Sequence, residues 1–314
     1  MKFVHHEFSL ASAVCQSSQR LAVAAILAGS LVGLNASGAA AETDWSKVAT
    51  ALGKSGTEMA GGVYRVGLPR TDLHVTLDGV ALKPTFALGS WLAFRPDGNM
   101  TMVMGDLVLT ETEIAPVMTK LAEGGIAITA LHNHLLRAQP ATFYMHVLGQ
   151  GDPIKLASAL HDGLALSKTP LGNAGAGSPA TSSIDLDAAM IDRTLGAKGH
   201  VVGGVYQVGI ARAEVVRDNG MEVPVAMGSA EGINFQPTGS GKAAITGDFV
   251  LTASEVNPVL RALRDNGIEV TALHNHMLDD QPRLFFMHFW ANDDAQKLAK
   301  GLRAALDKIN ITRS

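Results

Sequence analysis

The sequence predicts an α+β fold, a tandem duplication of a ferredoxin-like β-α-β-β-α sandwich unit. Three observations carry this prediction. Long segments recur at a constant offset of 142, among them "GGVYRVG" (61–67) with "GGVYQVG" (203–209) and "QPATFYMH" (139–146) with "QPRLFFMH" (281–288). Each copy alternates strand-like apolar runs with segments of helical periodicity. The chain has 314 residues, 47% hydrophobic and 17% charged, which suits two modest core-forming domains.

The elements follow in order. A short helix is expected near 45–52, and its counterpart near 187–195. A strand follows at "VYRVGL" or "VYQVGI", then a variable β-rich stretch. The next strand is "MTMVMGDLVL" or "AAITGDFVL". "TETE" (110–113) and "TASE" (252–255) then read as capping boxes, a Thr N-cap with Glu three residues on. Ile114, Val117, Met118 and Leu121 continue at helical spacing. "EGG" and "DNG" stop these helices. The following strand carries "TALHNH", at Thr129–His134 and again at Thr271–His276. A turn with Pro140 or Pro282 leads to a strand ending "YMH" or "FMH". Asp152 and Pro153 open a last helix, with "NDDAQKLAKGLRAAL" as its counterpart. Helices would cover one sheet face, leaving the other open to pack sheet to sheet or side by side.

Four segments are delimited: 1–41 as a signal peptide, 42–168 as the first repeat domain, 169–185 as a linker and 186–314 as the second repeat domain. Arg20, the short apolar run "LAVAAILAGSLVGL" and a small-residue end indicate a secretory signal cleaved near Ala41. The run is too short for a spanning helix, which needs about 20 residues. The expected location is periplasmic or secreted, with no membrane association after cleavage. The single cysteine, Cys15, lies before that run, so disulfides, thiolate metal sites and cysteine nucleophiles are excluded from the mature chain. The linker is rich in Gly, Ala, Ser and Pro. A net charge of −4 gives no bulk attraction to nucleic acid.

Six histidines form two sets. On a strand, residues i and i+2 share a face. His132 and His134 would project together, with Asn133 opposite. A turn centred on Gln139 would pair His132 with His146 and His134 with Tyr144. The second copy repeats this with His274, His276 and His288. Three neutral imidazoles at contact distance suit a first-row divalent metal, zinc favoured over copper. Asp106 and Asp248 are candidate fourth ligands. Glu113 and Glu255 are weaker candidates, because the capping boxes already explain them. Metal-free ligand binding and a purely structural polar network are the competing readings. Met145 and Met287 should point away from the histidines into the core.

The letters "HNH" do not indicate an HNH nuclease, because they are contiguous on a strand and no basic groove accompanies them. Asp72-x-His74 becomes Glu214-x-Val216, and Trp91 has no counterpart. Copy one thus differs either in its ligand surface or in packing alone.

The combination "GVYQVG(I/L)xR", "GDxVLTxxEVNPV", "TALHNHLL" and "P…YMH…GDP.KLA" resembles the LppY/LpqO family, DUF1259, across both copies. The resemblance implies an exported bacterial protein and supplies no reaction. Three functions follow as expectations. The first is metal binding through both clusters. The second is a metal-dependent hydrolase, with Glu113 or Asp106 as catalytic base. The third is a module binding a small ligand or cell-wall glycan without metal.

Overall fold

The computed structural model describes residues 43–172 and 183–312. The expected signal peptide and the middle of the linker lie outside the described residues. Among the described residues no helix is long and apolar enough to cross a membrane.

The first repeat runs α1 (Trp45–Leu52), β1 (Thr57–Met59), β2 (Val63–Pro69), β3 (Gly89–Asp97), β4 (Met100–Thr110), α2 (Glu111–Glu123), β5 (Ala127–His132), β6 (Thr142–Gly151) and α3 (Pro153–Leu164). The second runs α4 (Ala188–Leu195), β7 (His200–Val202), β8 (Val205–Ala211), β9 (Ala230–Gly239), β10 (Lys242–Thr252), α5 (Ala253–Asp265), β11 (Glu269–His274), β12 (Leu284–Asp294) and α6 (Ala295–Leu306). A short helix, Pro84–Ala87, follows a two-residue hairpin between β2 and β3.

Each repeat forms one six-stranded sheet with antiparallel pairing throughout, ordered β1-β2-β3-β4-β6-β5 and β11-β12-β10-β9-β8-β7. The expected β-α-β-β-α order is present as β4-α2-β5-β6-α3. Three further strands extend the sheet beyond β4, so each repeat is a mixed α/β unit built on one six-stranded antiparallel sheet.

Local chemistry accounts for the helix starts. Thr110 and Thr252 form complete capping boxes with Glu113 and Glu255. Asp152 accepts from the amides of Ile154 and Lys155 ahead of Pro153. The glycine of each "GD" pair permits close strand packing: a Cβ on Gly105 would lie 2.6 Å from Leu92, and one on Gly247 would lie 2.0 Å from the carbonyl oxygen of Gly232.

The helices cover one face of each sheet. Val103, Leu107, Met145 and Val147 pack with α2 and α3 in the first repeat, and Phe249, Met287 and Phe289 pack with α5 and α6 in the second. Met145 and Met287 are therefore core residues. The other faces meet sheet to sheet. Tyr144 and Val108 cluster with Trp290 and Ala244, and Met102 and Met104 cluster with Phe286 and Val250. Burying both apolar faces against each other explains why neither sheet presents one to water.

Buried arginines tie each sheet to its helix. Arg70 lies at the end of β2 and is fully buried. It donates to Glu113 at 2.9 and 3.1 Å, to the Val108 carbonyl and to Asp72. Arg212 repeats this with Glu255, Val250 and Glu214. Asp72 and Glu214 thus do the same work, although the motifs around them differ.

Candidate metal centre

The histidines lie where the two open sheet faces meet. Asp106 on β4 and His146 on β6 are cross-strand partners, as are Asp248 and His288. His134 approaches Asp106 at 3.7 Å, and His146 lies 4.0 Å from it. His276 and His288 lie 3.4 and 3.8 Å from Asp248. Each repeat therefore brings together one aspartate and two histidines, all buried or nearly so.

Two expectations are corrected in reaching this geometry. β5 and β11 end at His132 and His274, so His134 and His276 sit in the bend after the strand rather than on it. The pairing also differs from a turn centred on Gln139. Ala130 lies opposite His146 and His132 opposite Tyr144, with an irregularity between Ile128 and Ala130. This shift of two positions preserves side-chain parity, so His132 and His146 still share the inter-sheet face.

A third correction concerns Glu113. Its carboxylate is taken by Arg70 and by the amides of Thr110 and Lys168. It caps α2 and is absent from the histidine groups, as is Glu255. Asp106, by contrast, is in the site.

The two sets interlock. His132 stacks on His274 with ring centroids 3.4 Å apart, and His134 on His288 and His146 on His276 at 3.7 Å. Tyr144 and Phe286 back His134 and His276, each at 3.4 Å. Donor atoms within 4.8 Å of one another form four groups that could hold a metal ion: Asp106/His134/His146, Asp248/His276/His288, His146/His274/His276 and His132/His134/His274/His288. Within a repeat, the converging set includes the aspartate. His132 and His274 instead join ligands from both repeats.

The donor atoms of these groups lack hydrogen-bond partners. The Nε2 atoms of all six histidines and one oxygen of each aspartate are buried without a hydrogen-bond partner. Burial, reinforced by neighbouring imidazoles, holds His134, His146, His276 and His288 well below the ordinary histidine range, so they are neutral. Burial pushes Asp106 up to about 7, opposed by Arg65, and raises Asp248 well above the carboxylate range. His288 Nδ1 donates to the Gly247 carbonyl at 2.8 Å, leaving the Nε2 lone pair free. Orphaned buried donors of this kind carry a desolvation cost that a bound ion would remove.

A cavity of about 580 Å³ adjoins the cluster. Asp106, His134, Asp248, His276 and His288 reach its wall, with Arg65 and Trp91 above them. Arg65 packs over Trp91, 4.1 Å from the ring centroid. Sequence reasoning missed Arg65; the "VYRVG" to "VYQVG" difference was the only visible signal.

Two six-stranded repeats joined face to face, with histidines and aspartates at the junction, define a duplicated α/β protein whose clusters could hold metal. The chain belongs to the family described as Domain of Unknown Function (DUF1259), which matches residues 46–166 and 189–308. No curated protein matches the sequence. Among solved structures, the trimeric bacterial microcompartment shell protein PduB is similar at 11% identity and a TM-score of 0.21, over 82% of this chain and 96% of that one. EtuB from Clostridium kluyveri is similar at 8% identity and a TM-score of 0.19, over 81% of this chain and 90% of that one. At these TM-scores neither bears on fold or function.

Proposed function

We propose that this protein is an exported metal-binding protein whose centre lies between its two repeats. The observation that carries the reading is the convergence of buried donors lacking partners: the six histidine Nε2 atoms with Asp106 and Asp248. Asp106, His134 and His146 hold one divalent ion, Asp248, His276 and His288 a second, and His132 and His274 complete the junction. A nitrogen and oxygen donor set with no thioether suits zinc better than Cu(I). Titrating metal-free protein with zinc tests this. Binding of two equivalents, abolished when both aspartates and their histidines are replaced, is the expected result.

The cavity favours a second reading, a metal-dependent hydrolase acting on a small molecule. Bound zinc supplies Lewis acidity. The residues' own contribution is to orient and to exclude water: Tyr144 and Phe286 back the histidines, and the two sheets enclose the substrate. Glu113 is committed to Arg70 and does not serve as base. Asp106 is the remaining candidate, in whichever state it does not ligate the ion. A volume of about 580 Å³ bounded by two sheets suits a small molecule better than a glycan strand. Hydrolysis of small ester or phosphoester substrates by zinc-loaded protein, lost on chelation, would support the hydrolase reading.

Export rests on the Arg20–Ala41 segment. N-terminal sequencing of protein recovered from the periplasm should begin at Glu42.

A further inference from the structure

The two halves of the cavity are not equivalent. In the first repeat Arg65 and Trp91 line it. The same positions in the second repeat are Gln207 and Gly232, because Trp91 pairs with Asp106 as Gly232 pairs with Asp248. Gln207 spends its amide on the Thr85 carbonyl at 2.8 Å. Among the described residues that line the cavity, Arg65 is the one cationic side chain.

Arg65 is also held in place. Its Nη1 donates to the Ala226 carbonyl of the other repeat, and its plane rests on Trp91. Among the described residues no other hydrogen bond engages its guanidinium, and Arg65 lines the cavity. A guanidinium fixed by stacking and by one anchor matches the planar, bidentate geometry of a carboxylate or phosphate. Beside it the backbone leaves room: a Cβ at Gly67 or Gly232 would meet nothing within 4 Å. Leu68, Pro69 and Phe86 add apolar wall.

We infer that the cavity binds a small organic anion, its carboxylate or phosphate held by Arg65 on the first-repeat side and its body lying between the sheets toward the histidines. The inference rests on the metal reading for the charge of the cavity floor. With divalent metal offsetting Asp106 and Asp248, the Arg65 charge is left in excess and favours an anion. Burial lowers the Arg65 pKa to about 10, opposed by Asp106, so the side chain stays charged at neutral pH. The anion site exists once per chain, because the second repeat has Gln207 in place of the arginine.

The test is calorimetric titration of the full mature protein, zinc-loaded and zinc-free, with benzoate, phenyl phosphate and uncharged benzyl alcohol. Metal content is measured on the same samples. The zinc-loaded protein should bind one of the two anions more tightly than the alcohol, and whichever anion wins identifies the head group. Arg65→Gln should weaken that binding by about tenfold or more. Arg65→Lys keeps the charge without the fork and should fall between. Unchanged zinc content and circular dichroism in both variants would show that the fold and the metal centre persist. Equal anion binding by wild type and Arg65→Gln would overturn the inference, as would no anion binding at millimolar concentration. Metal bound without Arg65-dependent anion binding sinks this inference alone. Arg65-dependent anion binding by protein that takes up no zinc leaves the anion site standing and sinks the metal reading.

Discussion

The hydroxyl of Thr129 donates to the backbone carbonyl of His276 at 2.5 Å, so a strand of the first repeat holds a histidine of the second. Thr271 returns the contact to the His134 carbonyl at 2.6 Å. Asn275 adds a bond to the Thr129 carbonyl. The repeated "TALHNH" thus also joins the copies, because its threonine bonds the backbone of the partner copy's histidine. Replacing both threonines by valine keeps the shape and leaves two carbonyls without these donors. The expected cost is about 1–3 kcal/mol in stability, read by urea unfolding. Zinc affinity should fall about 10- to 100-fold, as when a group orienting a ligand is removed. Unchanged affinity would show that the threonines only join the repeats.

Glu113 separates the structural network from the site. Arg70 is fully buried, so Glu113→Ala removes one of its two carboxylate partners, leaves Asp72 as the other, and should destabilise the fold by about 1–3 kcal/mol. Zinc stoichiometry of the folded variant should stay at the wild-type value. A loss of metal with full stability would return Glu113 to the list of ligands.

The same carboxylates set an acid limit. Burial raises Glu113 and Glu255, but hydrogen bonds from their arginines and from backbone amides outweigh it and leave both below their ordinary value. A carboxylate depressed in the folded state contributes stability that is present above its unfolded pKa, near 4.5, and lost as pH falls through the folded value. Wild-type stability should therefore drop more steeply below pH 4.5 than that of a Glu113→Gln/Glu255→Gln protein. Parallel acid curves in chemical denaturation would contradict this.

Gly232 tests the cavity as the route to the cluster. Its Cβ direction is open, so Gly232→Val should not clash and should hold or raise the Tm, since valine suits a strand better than glycine. Chelator removal of zinc should slow. Unaltered removal kinetics would place the ion's path elsewhere.

Much of this was legible because it is local. The duplication, the capping boxes and the Asp152–Pro153 start are short-range patterns, and the helices form where those patterns place them. The shared face of His132 and His146 was legible too, since parity survives a register shift of two, whereas the place of His134 in the bend after β5 was not. The pairing itself was not, because the irregularity between Ile128 and Ala130 leaves no mark in composition. Glu113 misled because one residue type serves a cap, an ion pair and a metal equally well; its partner, Arg70, lies 43 positions away. The stacking of His132 on His274 and the grip of Thr129 on His276 depend on two sheets meeting face to face. No periodicity within either repeat encodes that meeting.

The central claim is that the junction holds metal, and elemental analysis of untagged protein purified from the periplasm tests it most directly. Wild type should carry two divalent ions per chain, zinc foremost. A variant with Asp106, His134 and His146 all changed to alanine should lose one, and its counterpart at Asp248, His276 and His288 the other. Wild-type protein that carries no metal and takes up none on titration would contradict the account, as would variants that keep the full complement.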